Sequence, residues 1–270
     1  MSKPSFNKLP VSLLVERNKP AGDLPVIGVC FDYRATIQDP TLDSPAENFE
    51  YFEFLFEAFT KCVEKAGGQI YVIAPNEKPE NLQHLDGLII PGGRDMDPIH
   101  YNQEKHEKTS LEPDAALHFF RNKQFYEGLS CPVMGICWGM EFLNVYHGGD
   151  LDQHLPQAED HLNKVNAFIQ KPGSFLAGAI SEKCEGFCYH HQGVGKLAPG
   201  FEVTSTDQAH GLPHGIEKTD GERKVFGVIW HPEKVALEDG QVSANNLGCF
   251  EALVKLAADF RRNRKEGKKE

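Results

Sequence analysis

The sequence contains no long apolar run. Among its 270 residues, no stretch approaches the roughly 20 consecutive apolar residues that a membrane-spanning helix requires. The first 23 residues carry lysine, proline, asparagine and glutamate, without the apolar core that is typical of a signal peptide. We therefore expect a soluble, cytoplasmic protein that has no membrane partner.

Basic residues and a disulfide framework are also scarce. The chain has 28 basic against 39 acidic residues, a formal net charge of -11, which disfavours nucleic acid as a partner. Its seven cysteines, an odd number without regular spacing, indicate reduced thiols in a reducing compartment. The sequence contains no internal repeat and no glycine-rich dinucleotide fingerprint, and it leaves the oligomeric state open, a homodimer included.

Short apolar segments alternate with helical patterns in the first half of the chain. Continuous apolar runs, typical of strands buried on both faces, occur at 26–31, 69–74, 88–90 and 132–136. Helical spacing occurs at 49–65 and in a segment that opens at 113, where Ala116, Phe119, Phe120 and Phe125 are expected to form the buried face. This order predicts a parallel sheet with helices on both faces.

The second half is richer in strand patterns. Segments of strand type occur at 165–169, 186–190, 201–205 and 224–230, before a last amphipathic helix at 246–260. The predicted fold class is therefore α/β, with a doubly wound, mostly parallel sheet that gains antiparallel strands from the second half. We expect one domain over 25–262, an N-terminal arm over 1–24 and a disordered basic tail over 263–270.

A cysteine with a glycine on either side follows the fourth predicted strand. Gly135, Cys137 and Gly139 lie between an apolar strand and a segment with helical spacing. A sharp strand-to-helix turn needs small neighbours two residues from its apex, so Cys137 is predicted to project into a cleft. The amino end of the following helix would lower the pKa of its thiol. A buried structural cysteine beside two glycines is the alternative interpretation.

Two other segments offer partners to such a thiol. A strand over 225–230 runs into His231 and Glu233, which face the same side of an extended chain, so that the carboxylate can fix the imidazole tautomer. Cysteine, histidine and carboxylate are the nucleophile, base and orienting group of acyl transfer. Backbone amides of Gly93 and Trp138 are predicted to stabilise a developing oxyanion.

Five motifs together carry a family resemblance. They are PVIGVCFDYR (25–34), DGLIIPGGRDMDP (86–98), GICWGMEFLNVYHGGDLDQ (135–153), YHHQGVGKL (189–197) and GVIWHPE (227–233). Taken jointly, they resemble the class I glutamine amidotransferase superfamily and, within it, the γ-glutamyl hydrolase-like branch, peptidase family C26. They are similar to γ-glutamyl-γ-aminobutyrate hydrolases. The resemblance implies a flavodoxin-like sheet of the class I glutaminase type.

The resemblance also implies roles for individual residues. It makes Cys137 the nucleophile, His231 the base and Glu233 the orienting carboxylate, with oxyanion donors near Gly93 and Trp138. It further implies a small-molecule γ-glutamyl amide as the substrate.

Substrate contacts are predicted on two segments. The resemblance implies that His190, His191 and Gln192 form a wall of the pocket. Because the two histidines are adjacent, one ring is expected to face the cleft and the other the core. Gly92 and Arg94 belong to the predicted oxyanion loop, and Arg94 is expected either to hold the substrate α-carboxylate or to point into solvent.

The chain departs from the family pattern at two positions. Glu141 stands where the family commonly has glutamine, and an ionised glutamate accepts hydrogen bonds without donating any. If it faces the substrate, it would favour an ammonium group and repel a carboxylate; a surface position on the helix is the alternative. Asp150 stands where the family usually has threonine, and the sequence offers no explanation for this change.

Four potential metal ligands lie close together in the sequence. Cys184 and Cys188 precede His190 and His191, and the cysteine spacing is tolerable for zinc. The two adjacent histidines, however, place their rings on opposite faces of a strand. We therefore expect no metal and no other cofactor.

The leading functional hypothesis is a cysteine hydrolase that cleaves a γ-glutamyl amide through a thioester on Cys137. A second hypothesis is a glutaminase subunit that delivers ammonia to a separate synthase. A third is a binding or regulatory protein that keeps the pocket without turnover. The sequence does not identify the amine that leaves.

Overall fold

A nine-stranded sheet forms the centre of the molecule in the computed structural model, which describes residues 18, 22–30, 57–73, 77–111, 115–234 and 244–267. Most of the predicted N-terminal arm and the start of the helix predicted at 49–65 lie outside these residues. The described part of that helix covers residues 57–65 and is called α1.

Eleven strands and three further α-helices are described. The strands are β1 (Val26–Cys30), β2 (Gln69–Ile73), β3 (Gly87–Ile90), β4 (Val133–Ile136), β5 (Leu151–Asp152), β6 (Leu162–Gln170), β7 (Lys183–Tyr189), β8 (Gly193–Val194), β9 (Phe201–Asp207), β10 (Pro213–Lys218) and β11 (Val225–Val228). The helices are α2 (Ala115–Gly128), α3 (Trp138–Tyr146) and α4 (Ala244–Glu266).

The main sheet has the strand order β2-β1-β3-β4-β11-β10-β9-β6-β7. Its first five strands pair in parallel, and the remaining four pair antiparallel. β5 and β8 form a separate two-stranded ribbon. The predicted fold class, a mostly parallel α/β sheet with antiparallel additions from the second half, is confirmed.

Helices cover both faces of the parallel strands. On one face, Phe59 of α1 and Phe250 of α4 pack with strand residues such as Val29. On the other face, Phe125 of α2 and Phe142 of α3 pack with alternate residues of the same strands. The continuous apolar runs of the sequence follow from this arrangement, since each parallel strand is buried on both sides.

Two details of the predicted elements are wrong. β10 has no counterpart in the prediction, because its Pro213 and Gly215 are poor strand formers whose place in the sheet is fixed by pairing with β9 and β11. In α2, Ala116 and Phe120 were expected in the buried face but are exposed, Phe120 by 54%. The buried face of α2 uses Phe125, as predicted, and Tyr126, which was not predicted.

The last helix extends into the predicted disordered tail. α4 continues to Glu266, so the described residues 263–266 are helical. The reason lies in its arginines: Arg261 and Arg264 donate to the two carboxylate oxygens of the fully buried Asp86, at 3.0 and 2.6 Å. The Asp86 carboxylate also accepts from the Val26 backbone N–H. The basic residues thus hold the end of the helix against the sheet.

None of the described helices combines the length and apolar character that a bilayer crossing requires. All seven cysteines are buried and unpaired.

Candidate active site

Three neighbouring strands end at the same edge of the sheet. β3, β4 and β11 are adjacent and parallel, so the residues that follow them lie side by side at their carboxyl ends. The loop 91–94 follows β3, Cys137 follows β4, and His231 lies three residues beyond the end of β11. The backbone N–H of Cys137 donates to the carbonyl of Val228 at 2.8 Å, which holds the carboxyl ends of β4 and β11 together. Sheet topology therefore brings the predicted site residues to one place.

Cys137 sits at the apex of a strained turn. Its φ of 50° and ψ of -112° lie outside the regions that L-residues favour, and it occupies the N-cap position of α3. The flanking glycines permit this turn: a Cβ on Gly135 would lie 2.4 Å from the Gly139 carbonyl oxygen, and one on Gly139 would lie 2.0 Å from the carbonyl oxygen of Ile90. Only glycine fits at either position.

His231 is held by Glu233 and lies beside Cys137. The Nδ1–H of His231 donates to Oε1 of Glu233 at 2.7 Å, and both side chains are buried. A Cβ on Gly92 would lie 2.8 Å from Cε1 of His231 and 3.4 Å from Cβ of Cys137, so both side chains flank the same glycine. With Nδ1 bound to the carboxylate, Nε2 carries the lone pair that could accept a proton.

Burial dominates the acidity of the Cys137 thiol. Burial, followed by the nearby charge of Glu141, raises the pKa of Cys137 well above its ordinary value. A hydrogen bond from the Trp138 backbone N–H acts in the opposite direction but is the weaker effect. The sequence-based expectation of a lowered thiol pKa is therefore wrong, because desolvation outweighs the helix amino end. The thiol needs a base to become nucleophilic.

The predicted oxyanion residues lie against each other. A Cβ on Gly93 would lie 3.4 Å from Cγ of Trp138 and 3.5 Å from Nε2 of His118. The rings of His118 and Trp138 are in contact, with centroids 4.2 Å apart. Arg94 lines a cleft together with Trp138, His118 and Met96. The cleft thus lies beside the predicted oxyanion loop.

Glu141 is buried, which rules out the surface alternative. Its exposed fraction is 3%, and burial, together with the charge of Asp95, raises its pKa to about 8. At neutral pH the carboxyl group is therefore mostly protonated and offers one O–H donor and one acceptor. The expectation of an ionised, purely accepting Glu141 is wrong, and the neutral acid reproduces the donor and acceptor pattern of the glutamine that it replaces.

The two histidines of the pair have different environments. His190 is buried, and its Nδ1–H donates to the backbone carbonyl of Gln192 at 2.9 Å. His191 is partly exposed and bonds Oδ1 of Asp95 through Nε2 at 2.9 Å. The Gln192 side chain accepts from the Met96 backbone N–H at 2.8 Å. This segment therefore holds the far end of the loop that contains Arg94.

Asp150 has a structural role that the sequence did not reveal. Its Oδ1 accepts from the backbone N–H of Lys196 at 2.6 Å, and its backbone N–H donates to the Lys196 carbonyl at 3.0 Å. The residue thus fixes the crossing of two loops after α3.

Two side chains at this edge were missed by sequence reasoning. Asp95 adjoins both His191 and Glu141, and His118 packs on Trp138. Asp95 follows Arg94 in the loop after β3, so its position could have marked it as a candidate. His118 lies in α2, and no feature of the sequence pattern connects it to the site.

Comparison with known proteins identifies the family. The sequence profile of Peptidase C26 matches residues 21–233. The chain is 32% identical over 254 residues to the "Putative glutamine amidotransferase Rv2859c" of Mycobacterium tuberculosis, covering 87% of this chain and 76% of that protein. It is 27% identical over 168 residues to a subunit of the glutamine-hydrolysing GMP synthase of Natronomonas pharaonis, covering 62% of this chain and 80% of that protein.

A solved structure shares the fold. The crystal structure of a "putative gmp synthase" subunit from Thermoplasma acidophilum superposes with a TM-score of 0.64 at 14% identity, covering 90% of this chain and 98% of that chain. The sheet, its helices and the matched sequence together lead to one conclusion. The chain belongs to the peptidase C26 family and is a hydrolase of the glutamine amidotransferase type.

Proposed function

We propose that this protein hydrolyses a γ-glutamyl amide bond through a γ-glutamyl thioester on Cys137. The observation that carries the proposal is the His231–Glu233 contact of 2.7 Å beside Gly92, with Cys137 on the other side of the same glycine. A buried thiol whose pKa is raised cannot attack unaided, and a fixed imidazole is the base that it requires.

Acylation uses each of these groups once. Nε2 of His231 takes the thiol proton as the sulfur attacks the γ-carbonyl carbon, and Glu233 stabilises the imidazolium that forms. The backbone amides of Gly93 and Trp138 are assigned to the oxyanion of the tetrahedral intermediate. The intermediate collapses to the thioester when His231 gives its proton to the departing amine.

Deacylation repeats these steps with water. His231 removes a proton from a water molecule, which attacks the thioester carbonyl, and the same amides stabilise the second oxyanion. The carbon–sulfur bond breaks, the thiol regains its proton from His231, and γ-glutamate leaves as the free acid. No cofactor enters either half of the reaction.

Glu141 supports recognition of a neutral part of the substrate. Because its pKa of about 8 keeps it protonated at neutral pH, it adds neither an attraction for an ammonium group nor a repulsion of a carboxylate. Arg94, which lines the neighbouring cleft, is the residue that we assign to the substrate α-carboxylate.

The test is loss of turnover in Cys137→Ala on a panel of γ-glutamyl amines, γ-glutamyl peptides, polyglutamates and free glutamine. Removal of a nucleophile that acts as a unit with its base should lower kcat by roughly 10⁴-fold or more. Cys131→Ala, which removes another buried thiol two residues before β4, should keep activity. Substantial turnover by Cys137→Ser would refute the mechanism.

A glutaminase subunit is the second candidate, favoured by the similarity to a protein named as part of a glutamine-hydrolysing GMP synthase. In that case, free glutamine would be the preferred member of the panel, and its hydrolysis would rise when a synthase partner is added. A hydrolase that works alone would instead cleave a γ-glutamyl amine at full rate without a partner.

The remaining alternative is a binding protein without turnover. A γ-glutamyl chloromethyl ketone distinguishes a cysteine hydrolase from such a binding protein. It should label Cys137 faster than it labels free cysteine if the His231 base is active. Labelling no faster than free cysteine, with no member of the panel hydrolysed, would favour the binding protein.

A further inference from the structure

Four potential metal ligands converge in the antiparallel half of the sheet. They are His161, just before β6; Cys188, in β7; His190, just after β7; and His214, in β10. All four residues are buried, and their donor atoms lie within 4.8 Å of one another. We call these four residues the HHHC cluster, for its three histidines and one cysteine.

The hydrogen bonds of two of these histidines leave lone pairs aimed at the cluster. Nδ1 of His190 lies 2.9 Å from the carbonyl oxygen of Gln192, and Nδ1 of His214 lies 3.1 Å from that of Leu212. A carbonyl oxygen only accepts, so each Nδ1 carries the proton and each Nε2 carries a lone pair. Metal-binding histidines have the same arrangement, in which the second ring nitrogen donates to a backbone carbonyl.

These lone pairs have no protein partner in the described part of the chain. Among those residues, Nε2 of His190, Nε2 of His214 and both ring nitrogens of His161 make no hydrogen bond. A buried polar group without a hydrogen bond is unfavourable, because it has lost its hydration without gaining a partner. Three neighbouring imidazoles left in this state are therefore costly unless a ligand satisfies them.

The rings are packed closely enough to exclude bulk solvent. The centroids of His161 and His190 are 5.0 Å apart with planes inclined by 21°, and His214 lies 5.0 Å from His161 and 5.4 Å from His190. Both His190 and His214 are buried, which favours the neutral imidazole over the charged form. Neutral imidazole is the form that binds metals.

Charge balance is also available. Asp207 is 2% exposed, and one of its carboxylate oxygens lies within 4.8 Å of a donor nitrogen of His161. A thiolate at Cys188 and the carboxylate of Asp207 would together match the charge of one divalent cation.

We propose that His161, Cys188, His190 and His214 form a closed, four-coordinate Zn²⁺ site. Zinc takes imidazole nitrogen at about 2.1 Å and thiolate sulfur at about 2.3 Å, which places tetrahedral donors roughly 3.5 Å apart. The donor atoms of the HHHC cluster, which lie within 4.8 Å of one another, would meet this requirement after a contraction of at most about 1.3 Å. Four protein ligands leave no open position, so the ion is structural.

The proposed ion stabilises the frame of the candidate active site. Cys188 follows Phe187, whose carbonyl accepts the backbone N–H of His231 at 2.8 Å. His190 precedes the segment whose Gln192 side chain binds the Met96 backbone N–H at 2.8 Å. Coordination would therefore fix two supports of the site without the ion touching a substrate.

The four proposed zinc ligands differ from the four potential ligands that lie close together in the sequence. Of that set, Cys188 and His190 belong to the cluster, whereas His191 bonds Asp95 and Cys184 lies 3.5 Å from the amide nitrogen of Gln170. The sequence argument against a zinc site of Cys184, Cys188, His190 and His191 stands, and the new set replaces two of those four ligands.

Metal content is the first test. Untagged protein from zinc-supplemented growth, passed over a chelating resin, should hold about one zinc per chain by plasma mass spectrometry. Cys188→Ala and His214→Gln should each hold less than about 0.2 zinc per chain. Cys184→Ala, the same truncation on the same strand, should keep the full content.

Cobalt spectroscopy keeps the test decisive if a cluster variant fails to fold. The parent is Cys137→Ala, which removes the thiol beside His231, so the result does not depend on the proposed catalysis. Metal-free parent protein given Co²⁺ should show the visible bands of tetrahedral cobalt and a near-ultraviolet thiolate-to-cobalt band. Zinc should displace the cobalt and raise the Tm by roughly 5 °C or more.

Three outcomes would overturn the proposal. They are a wild-type protein with less than about 0.2 zinc per chain, a Co²⁺ spectrum without the thiolate band, and full zinc content in both Cys188→Ala and His214→Gln. Stoichiometric copper or nickel in place of zinc would refute the assignment of the metal.

Discussion

Glu141 lies in the first turn of α3, four residues after Cys137, and its environment changes its chemistry. In water a glutamate is ionised at neutral pH, but burial and the neighbouring Asp95 raise the pKa of Glu141 to about 8. When it does ionise, its charge raises the pKa of Cys137. The residue therefore behaves as an amide-like group below this pH and as a second anion beside the thiol above it.

Glu141→Gln should change the pH profile of activity. In the wild-type protein, kcat/KM should fall on the alkaline side as Glu141 ionises near pH 8, because the added charge disfavours the thiolate. The variant lacks that ionisation, so its alkaline limb should move to higher pH while activity at neutral pH stays within a few fold. Rates measured between about pH 6 and pH 10 on the same substrate would check this.

The control for this profile is Glu159→Gln, which makes the same change at an exposed position. Its alkaline limb should coincide with that of the wild-type protein. If Glu141→Gln also leaves the limb in place, another group controls the alkaline loss.

At the scale of the elements, the end of α4 is held by a buried carboxylate. Asp86 is completely buried and is shared by Arg261 and Arg264, while Arg264 also donates to the carbonyls of Gln83 and Leu85. Breaking a buried ion pair leaves a charge without its partner, which costs more than the loss of an exposed pair.

Arg264→Ala should lower the free energy of unfolding by about 2 kcal/mol, because Asp86 keeps only one of its two cations. Arg262→Ala is the matched control: its side chain is 63% exposed, and its pair with Asp259 lies in solvent. The control should change stability by less than about 0.5 kcal/mol. Denaturant unfolding of both variants measures the difference, and equal effects would contradict a structural role for residues 263–266.

Sites built from local motifs could be predicted from the sequence, whereas sites built by strand pairing could not. Cys137, His231 and Glu233 were found because each lies in a local motif at the end of an apolar strand, where topology alone brings strand ends together. His161 and His214 lie in no such motif. They meet only through the pairing of β6 with β7 and β9 and of β9 with β10, and such long-range pairing cannot be read from local pattern.

Acidity was predicted less well than position. The helix amino end suggested an acidic Cys137 thiol, and a free glutamate suggested an ionised Glu141. Both expectations assumed that the side chains are exposed to solvent. Only the three-dimensional structure shows that each group is almost fully buried, and desolvation then sets both pKa values.

At the scale of the whole molecule, the protonated Glu141 links stability to pH. Its pKa is about 8 in the folded protein and about 4.5 when unfolded, so the folded state holds the extra proton between these values. The stability that this proton confers is complete below pH 4.5 and is lost as pH rises towards 8. The slope from this group is about 1.4 kcal/mol per pH unit.

The free energy of unfolding of Glu141→Gln, relative to the wild-type protein, should therefore increase with pH. The difference should grow by about 1.4 kcal/mol for each unit between about pH 5 and pH 8 and then level off. Urea unfolding at several pH values, with Glu159→Gln as the reference, gives the measurement. A difference that stays constant with pH would show that Glu141 is already ionised in the folded protein.

The turn at Cys137 orients the sulfur before a substrate binds. Its left-handed φ of 50° is imposed by the close approach of Gly139 to Ile90 and by the hydrogen bond that the Cys137 backbone N–H donates to the Val228 carbonyl. The conformational entropy of the Cys137 side chain is consequently lost when the chain folds and not in each reaction cycle. Any reaction at this sulfur begins from an already oriented atom, however many cycles follow.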